Sequence, residues 1–68
     1  MRYDTIDAHG KVSLRFANRM MHLGYGRSLA RTAVIVLIHG LHATTITPEG
    51  EVIAEHLIDP NKSYQAKE

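Results

Sequence analysis

The amino-acid sequence predicts a small all-β domain, a barrel or sandwich of four or five short strands. Three observations predict it. Apolar and polar residues alternate from Lys11, a β-branched run spans Thr32 to Ile38, and turn signals recur at about the 8–12-residue spacing of compact β-domains.

The first eight residues have no stable period and read as a linker. From Lys11, Val12, Leu14 and Phe16 alternate with Ser13, Arg15 and Ala17; Met21, Leu23 and Tyr25 then alternate with His22 and Gly24. Successive side chains of a strand point to opposite faces, so the pattern predicts two half-buried strands. Asn tolerates the positive φ of a tight hairpin, which puts a two-residue turn at Asn18-Arg19. That turn pairs Phe16 with Met21, Leu14 with Leu23 and Val12 with Tyr25 on one face. The other face sets Arg15 opposite His22 and Ser13 opposite Gly24. Leu14, Phe16, Leu23 and at least one of Val34 and Val36 are the expected core.

Gly24-Tyr25-Gly26-Arg27-Ser28 reads as a flexible loop. Thr32–Ile38 is apolar almost throughout, which suits a strand covered on both faces. His39-Gly40 can turn the chain into a returning strand, Leu41–Thr47, and Thr47-Pro48-Glu49-Gly50 is a second turn. Glu51–Ile58 is ambiguous: its Glu, Ala and Leu favour helix, whereas its shortness and the need for a closing strand favour sheet. Asp59-Pro60 ends that element, and the polar tail 59–68 is expected to fray.

A chain of 68 residues makes at most one domain, and one this small buries only about 60% of its unfolded surface. It has no cysteine, so no disulfide or thiolate–metal bond can staple it. That absence fits a reducing cytoplasm. The longest apolar run, Ala33–Ile38, is too short to span a membrane, and residues 1–4 lack a signal-peptide stretch. Net charge is +1, but unevenly spread. Residues 1–31 hold Arg2, Lys11, Arg15, Arg19, Arg27 and Arg31 against Asp4 and Asp7, a net +4. Residues 32–68 hold Lys62 and Lys67 against Glu49, Glu51, Glu55, Asp59 and Glu68, a net −3. Such asymmetry points to one face meeting a polyanion.

Several patterns imitate enzymes. Val34–Gly40 looks like the strand and His-Gly turn beside the oxyanion hole of α/β-hydrolases, yet Ser13, Ser28 and Ser63 all lack the flanking glycines of a nucleophile elbow. His9, His22, His39, His42 and His56 form no HExxH pattern, so no metal or other cofactor is expected. Gly24-Tyr25-Gly26 is too short to cradle a phosphate. The basic set remains: Lys11, Arg15, Arg19, His22, Arg27 and Arg31 are the candidate DNA-contacting residues, suited to phosphate oxygens rather than base edges. Aromatic residues are few (Tyr3, Phe16, Tyr25, Tyr64), so stacking on single strands is not expected.

The run Asp7-Ala8-His9-Gly10-Lys11-Val12-Ser13-Leu14-Arg15, followed by Met21-His22-Leu23-Gly24-Tyr25-Gly26-Arg27, resembles the C-terminal region of insertion-sequence transposases of the retroviral-integrase superfamily. The family's usual wording is D-x-x-G-x-V-T-L-R, then L-H-H-I-G-x-G-R. Its later pattern, an acidic strand ending in L-D-P-x-x-x-Y-Q, is similar to Glu51-Val52-Ile53-Ala54-Glu55-His56-Leu57-Ile58-Asp59-Pro60 through Tyr64-Gln65. Met20-Met21 departs from the usual Leu-His before His22, and Ile58 replaces a commoner Thr or Leu. The likeness runs from about Arg2 to Gln65.

This resemblance implies a five-stranded SH3-like barrel over residues 9–58 and tips Glu51–Ile58 to strand. It implies a non-catalytic module of a transposase or integrase that contacts duplex DNA during DNA integration. The metal-binding Asp-Asp-Glu core of such proteins lies upstream of the barrel, and Asp4, Asp7, Glu51 and Glu55 take no part in it. The implied partners are duplex DNA, the parent's catalytic core and a weakly associating second copy, at the cytoplasmic nucleoid. The alternative is a protein-interaction barrel that docks on the catalytic core or drives multimerisation.

Overall fold

The period-two stretch forms a hairpin of β2 (Lys11–Phe16) and β3 (Arg19–Gly24), but in a different register from the expected one. Leu14 pairs with Met21, Val12 with Leu23, Ser13 with His22 and Arg15 with Met20, and the strands close at Phe16 and Arg19. Arg19 therefore belongs to β3 rather than to the turn, which keeps Asn18. Asn18 holds the positive φ (65°), a conformation costly for Arg19, which is left free to join the strand. Because the partners move by two residues, every side chain keeps its face and the apolar set stays inside.

The computed structural model describes residues 2–16 and 18–67; the expected alternation at Ala17 and the two chain ends, Met1 and Glu68, lie outside the described residues. The remaining strands are β1 (Arg2–Thr5), β4 (Ala33–His39), β5 (His42–Ile46), β6 (Val52–Leu57) and β7 (Tyr64–Gln65). A single 3₁₀ turn at Arg27–Leu29 leads from β3 towards β4. The fold is all-β. One sheet has the order β1-β4-β5-β6, the other β2-β3-β7. Strand pairing among the described residues gives these two sheets, not one closed ring.

Glu51–Ile58 is a strand over most of its length, with Ala43 opposite His56 and Thr45 opposite Ala54. Two short strands lie beyond the five expected, both in segments read as unstructured. Residues 1–8 are not a simple linker, because β1 pairs antiparallel with β4 and Ile6 is fully buried. The tail 59–68 is not frayed at Tyr64–Gln65, which runs parallel to β3 with His22 beside Tyr64 and Leu23 beside Gln65. The buried Gln65 amide explains the order. Its Nε2 donates to the carbonyls of Asp59 and Lys62 (2.9 and 2.7 Å), and its Oε1 accepts from the Asp59 N–H (2.8 Å). One side chain thus ties together the two ends of the Asp59–Lys62 turn, while the Asn61 N–H donates to Asp59 Oδ1 and the Lys62 N–H to the Asp59 carbonyl.

The core lies between the sheets. Val12, Leu14, Met21 and Leu23 face Val34, Val36, Ala43 and Ala54, with Ile6, Tyr25 and Ile58 completing the cluster. Phe16, beside the hairpin turn, is only half-buried against it. Strand β4 is covered on both faces only over Val34–Val36; Leu37 and Ile38 are each 37% exposed. The chain's apolar run outlasts the sheet that covers it.

Candidate nucleic-acid interface

Alternation decides which basic residues meet. With Val12 and Leu14 in the core, Lys11, Ser13 and Arg15 of β2 point outward, as do Met20 and His22 of β3. Tyr64 of β7 extends this outer face, because it lies beside His22 in register and its neighbour Gln65 points inward. No Asp or Glu occurs in β2, β3 or β7, whereas β1 and β6 carry Asp4 and Glu55. The charge asymmetry of the two chain halves thus becomes an asymmetry of two sheets.

The face has its own local bonds. Ser13 Oγ and His22 Nδ1 lie 3.0 Å apart across the hairpin. The Lys11 ammonium stands 5.6 Å from the Tyr64 ring centroid, within cation–π range. The Tyr64 ring crosses β3 at Gly24, so closely that a Cβ on Gly24 would overlap its hydroxyl. Lys11 and Gly24 are hairpin partners, so glycine there makes room for Tyr64 beside Lys11.

The other expected contacts are placed elsewhere. Arg19 pairs with Phe16, on the core side of the hairpin, and its guanidinium donates to the Pro60 carbonyl. It is therefore removed from the outer face. Arg27 and Arg31 are exposed on the β3–β4 connection, where the Arg31 N–H donates to the Ile6 carbonyl (2.7 Å) from a φ of 65°. Lys67, absent from the expected set, reaches the Tyr25 carbonyl with its ammonium (3.3 Å). Nothing in the sequence singles it out, because its position depends on the parallel pairing of β7.

The chain matches no protein-family model, no curated protein and no solved structure.

No group of three or more His, Cys, Asp or Glu side chains among the described residues is placed to hold a metal ion. His39 and His42 are partners at the β4–β5 turn, but His42 is engaged by Glu55 (Nε2 to Oε1, 2.8 Å). The hydrolase-like segment is β4 running into a turn at Gly40, whose φ is 61°. Among the described residues no helix is long and apolar enough to cross a membrane.

The four-stranded sheet has a different outer face. Tyr3, Ile35, Ile46 and Val52 are successive register partners and form an apolar row across all four strands. The ends of that row, Tyr3 and Val52, are 71% and 55% exposed. The two outer faces of this small domain are thus chemically distinct, one basic and one apolar.

Proposed function

We propose that this domain is a non-catalytic DNA-binding module, of the kind carried by transposases and integrases of the retroviral-integrase superfamily, working at the nucleoid. It grips duplex phosphates through the outer face of the β2-β3-β7 sheet, and the bond-making chemistry of integration belongs to a separate catalytic core. The observation that carries this reading is the acid-free face presenting Lys11, Arg15 and His22 together. Lys11 and Arg15 are four residues apart on one strand, roughly 13 Å at the usual rise. A major groove is about 12 Å wide, so the two cations suit phosphates on its opposite walls. Such contacts position a duplex without reading its sequence.

Fluorescence anisotropy of a labelled duplex, titrated over a range of salt, tests the reading. Binding is expected in the non-specific range of about 10⁻⁴–10⁻⁶ M, falling with salt at roughly 0.9 logarithmic units per phosphate neutralised. Lys11→Ala and Arg15→Ala should each weaken binding to all sequences alike and shallow the slope by about one unit. Salt-independent binding, or none, sinks the proposal.

The apolar row Tyr3-Ile35-Ile46-Val52 favours a second reading, in which the domain docks on the catalytic core or on another copy. Sedimentation without DNA separates the two. Self-association abolished by Tyr3→Ser, with no affinity for DNA, would select the docking module.

A further inference from the structure

Three residues on the basic face are arranged for more than phosphate contact. Tyr64 is 48% exposed, although its ring is seated across the backbone of β3 at Gly24. The Lys11 ammonium stands over the ring at 5.6 Å from its centroid. His22 is the register partner of Tyr64 on the neighbouring strand. A binder of phosphates alone has no use for a solvent-facing aromatic ring held in place by a glycine. In a continuous duplex every base is already stacked on both sides, so the ring has nothing to receive. An unpaired base does have a π-face to offer, and stacking on an aromatic side chain tolerates any base.

We infer that Tyr64 is a stacking platform for an unpaired base, so that the face prefers DNA with a single-stranded stretch over fully paired duplex. This rests on the DNA-binding reading above. On binding, the base takes the place of the Lys11 ammonium over the ring, and the flexible lysine swings to the neighbouring phosphate. The exchange keeps the cation paired throughout, from the ring quadrupole to an oxyanion. Scarcity of aromatic residues argued against stacking when rings were counted along the chain. One ring suffices where the fold places it beside cations and against a glycine.

The test compares two DNAs with equal numbers of phosphates, a blunt duplex and a shorter duplex with a single-stranded tail carrying 2-aminopurine. The tailed DNA should bind about tenfold tighter, within the range that one base–aromatic stack supplies, and its 2-aminopurine fluorescence should be quenched. Tyr64→Leu should collapse the ratio of the two affinities to about one and abolish the quenching, whereas Tyr64→Phe should keep both. Circular dichroism checks that each variant folds. Equal affinity of the native domain for both DNAs, or a tail preference that survives Tyr64→Leu, overturns the stacking site and leaves the phosphate reading standing. Failure to bind either DNA overturns both.

Discussion

The ring of Tyr25 meets that of His56 edge to face, with 4.9 Å between centroids and 69° between ring planes. Tyr25 follows β3 and His56 belongs to β6, so the contact ties the two sheets together. Both polar tips are satisfied inside the core. The Tyr25 hydroxyl lies 2.7 Å from Thr45 Oγ1, and His56 Nε2 donates to the Gly24 carbonyl at 2.8 Å. Both Thr45 and His56 are fully buried, so this seam is a polar joint in an otherwise apolar interior.

Tyr25→Phe should therefore destabilise the domain although it keeps the ring. The Thr45 hydroxyl would be left buried without its partner, at a cost of about 1–3 kcal/mol. Adding Thr45→Val should recover much of the loss, because replacing both partners by apolar groups is nearly neutral. Urea midpoints of the two single variants and the double variant measure the coupling. Additive losses would show that the hydroxyl pair contributes nothing.

Alkali should probe the same joint. Burial pushes the Tyr25 phenol above its ordinary value, with the Thr45 hydrogen bond acting in the opposite direction. The folded state then keeps a proton that the unfolded chain has lost. The stabilisation is complete below the unfolded value of about 10 and is lost as pH rises through the folded one. Melting temperature should fall above pH ~10, and Tyr25→Phe should flatten that fall. An unchanged alkaline slope in the variant would count against the assignment.

At the acid end the relevant group is Asp7. The Lys11 N–H, hydrogen-bonded to Asp7 Oδ1 at 2.9 Å, is the main cause of a carboxyl pKa below the usual range; the His9 N–H adds to it. The contribution of a lowered carboxyl is present above its unfolded value of about 4 and is lost as pH falls through the folded value. Asp7→Asn keeps an acceptor for the turn but removes the titration, so it should stay folded at neutral pH with a flatter acid limb. Asp7→Ala should be weaker at neutral pH as well. Urea midpoints measured from pH 7 down to pH 3 distinguish the two.

Core truncation should rank by burial. Leu23 is fully buried, so Leu23→Ala should cost about 2–5 kcal/mol, enough to unfold a domain this small. Phe16, half-buried at the hairpin end, should cost less on truncation despite its larger side chain. A Phe16→Ala loss larger than that of Leu23→Ala would place the centre of the core elsewhere.

Arg19 separates stability from binding. Its guanidinium serves the Pro60 carbonyl rather than the outer face. Arg19→Ala should lower thermal stability while leaving the salt slope of DNA binding unchanged. A slope shallower by about one unit, as expected for Arg15→Ala, would return Arg19 to the interface.

Much of this protein was legible in the order of its residues. Alternation from Lys11 to Tyr25 determined the hairpin and which side chains face inward, and the turn at Pro48-Glu49-Gly50 separated the last two long strands. Glu51–Ile58 shows the limit of local reading. Its composition favours helix, and its place as a strand depends on pairing with β5, a partner that lies outside any short window. The hairpin register erred by two residues because a two-residue shift leaves the apolar pattern unchanged; the backbone at Asn18 settled it.

The sequence by itself determined the all-β class, the inward face of the first hairpin and the surplus of basic residues in the first half of the chain; the buried Ile6 lay in a stretch that reads as linker. Only the tertiary structure decided which of the basic residues share a face. A strand's period sends Arg15 and Arg19 to opposite sides of the hairpin, and the end of that hairpin brings the Pro60 carbonyl within reach of Arg19. Tyr64 and Gln65 became part of the fold through parallel pairing with β3, some forty residues earlier in the chain. Parallel pairing requires a long crossover between partners, so no local signal announces it. The polar stretch after Asp59 reads as solvent-bound until the Gln65 side chain binds the Asp59 and Lys62 carbonyls of the turn.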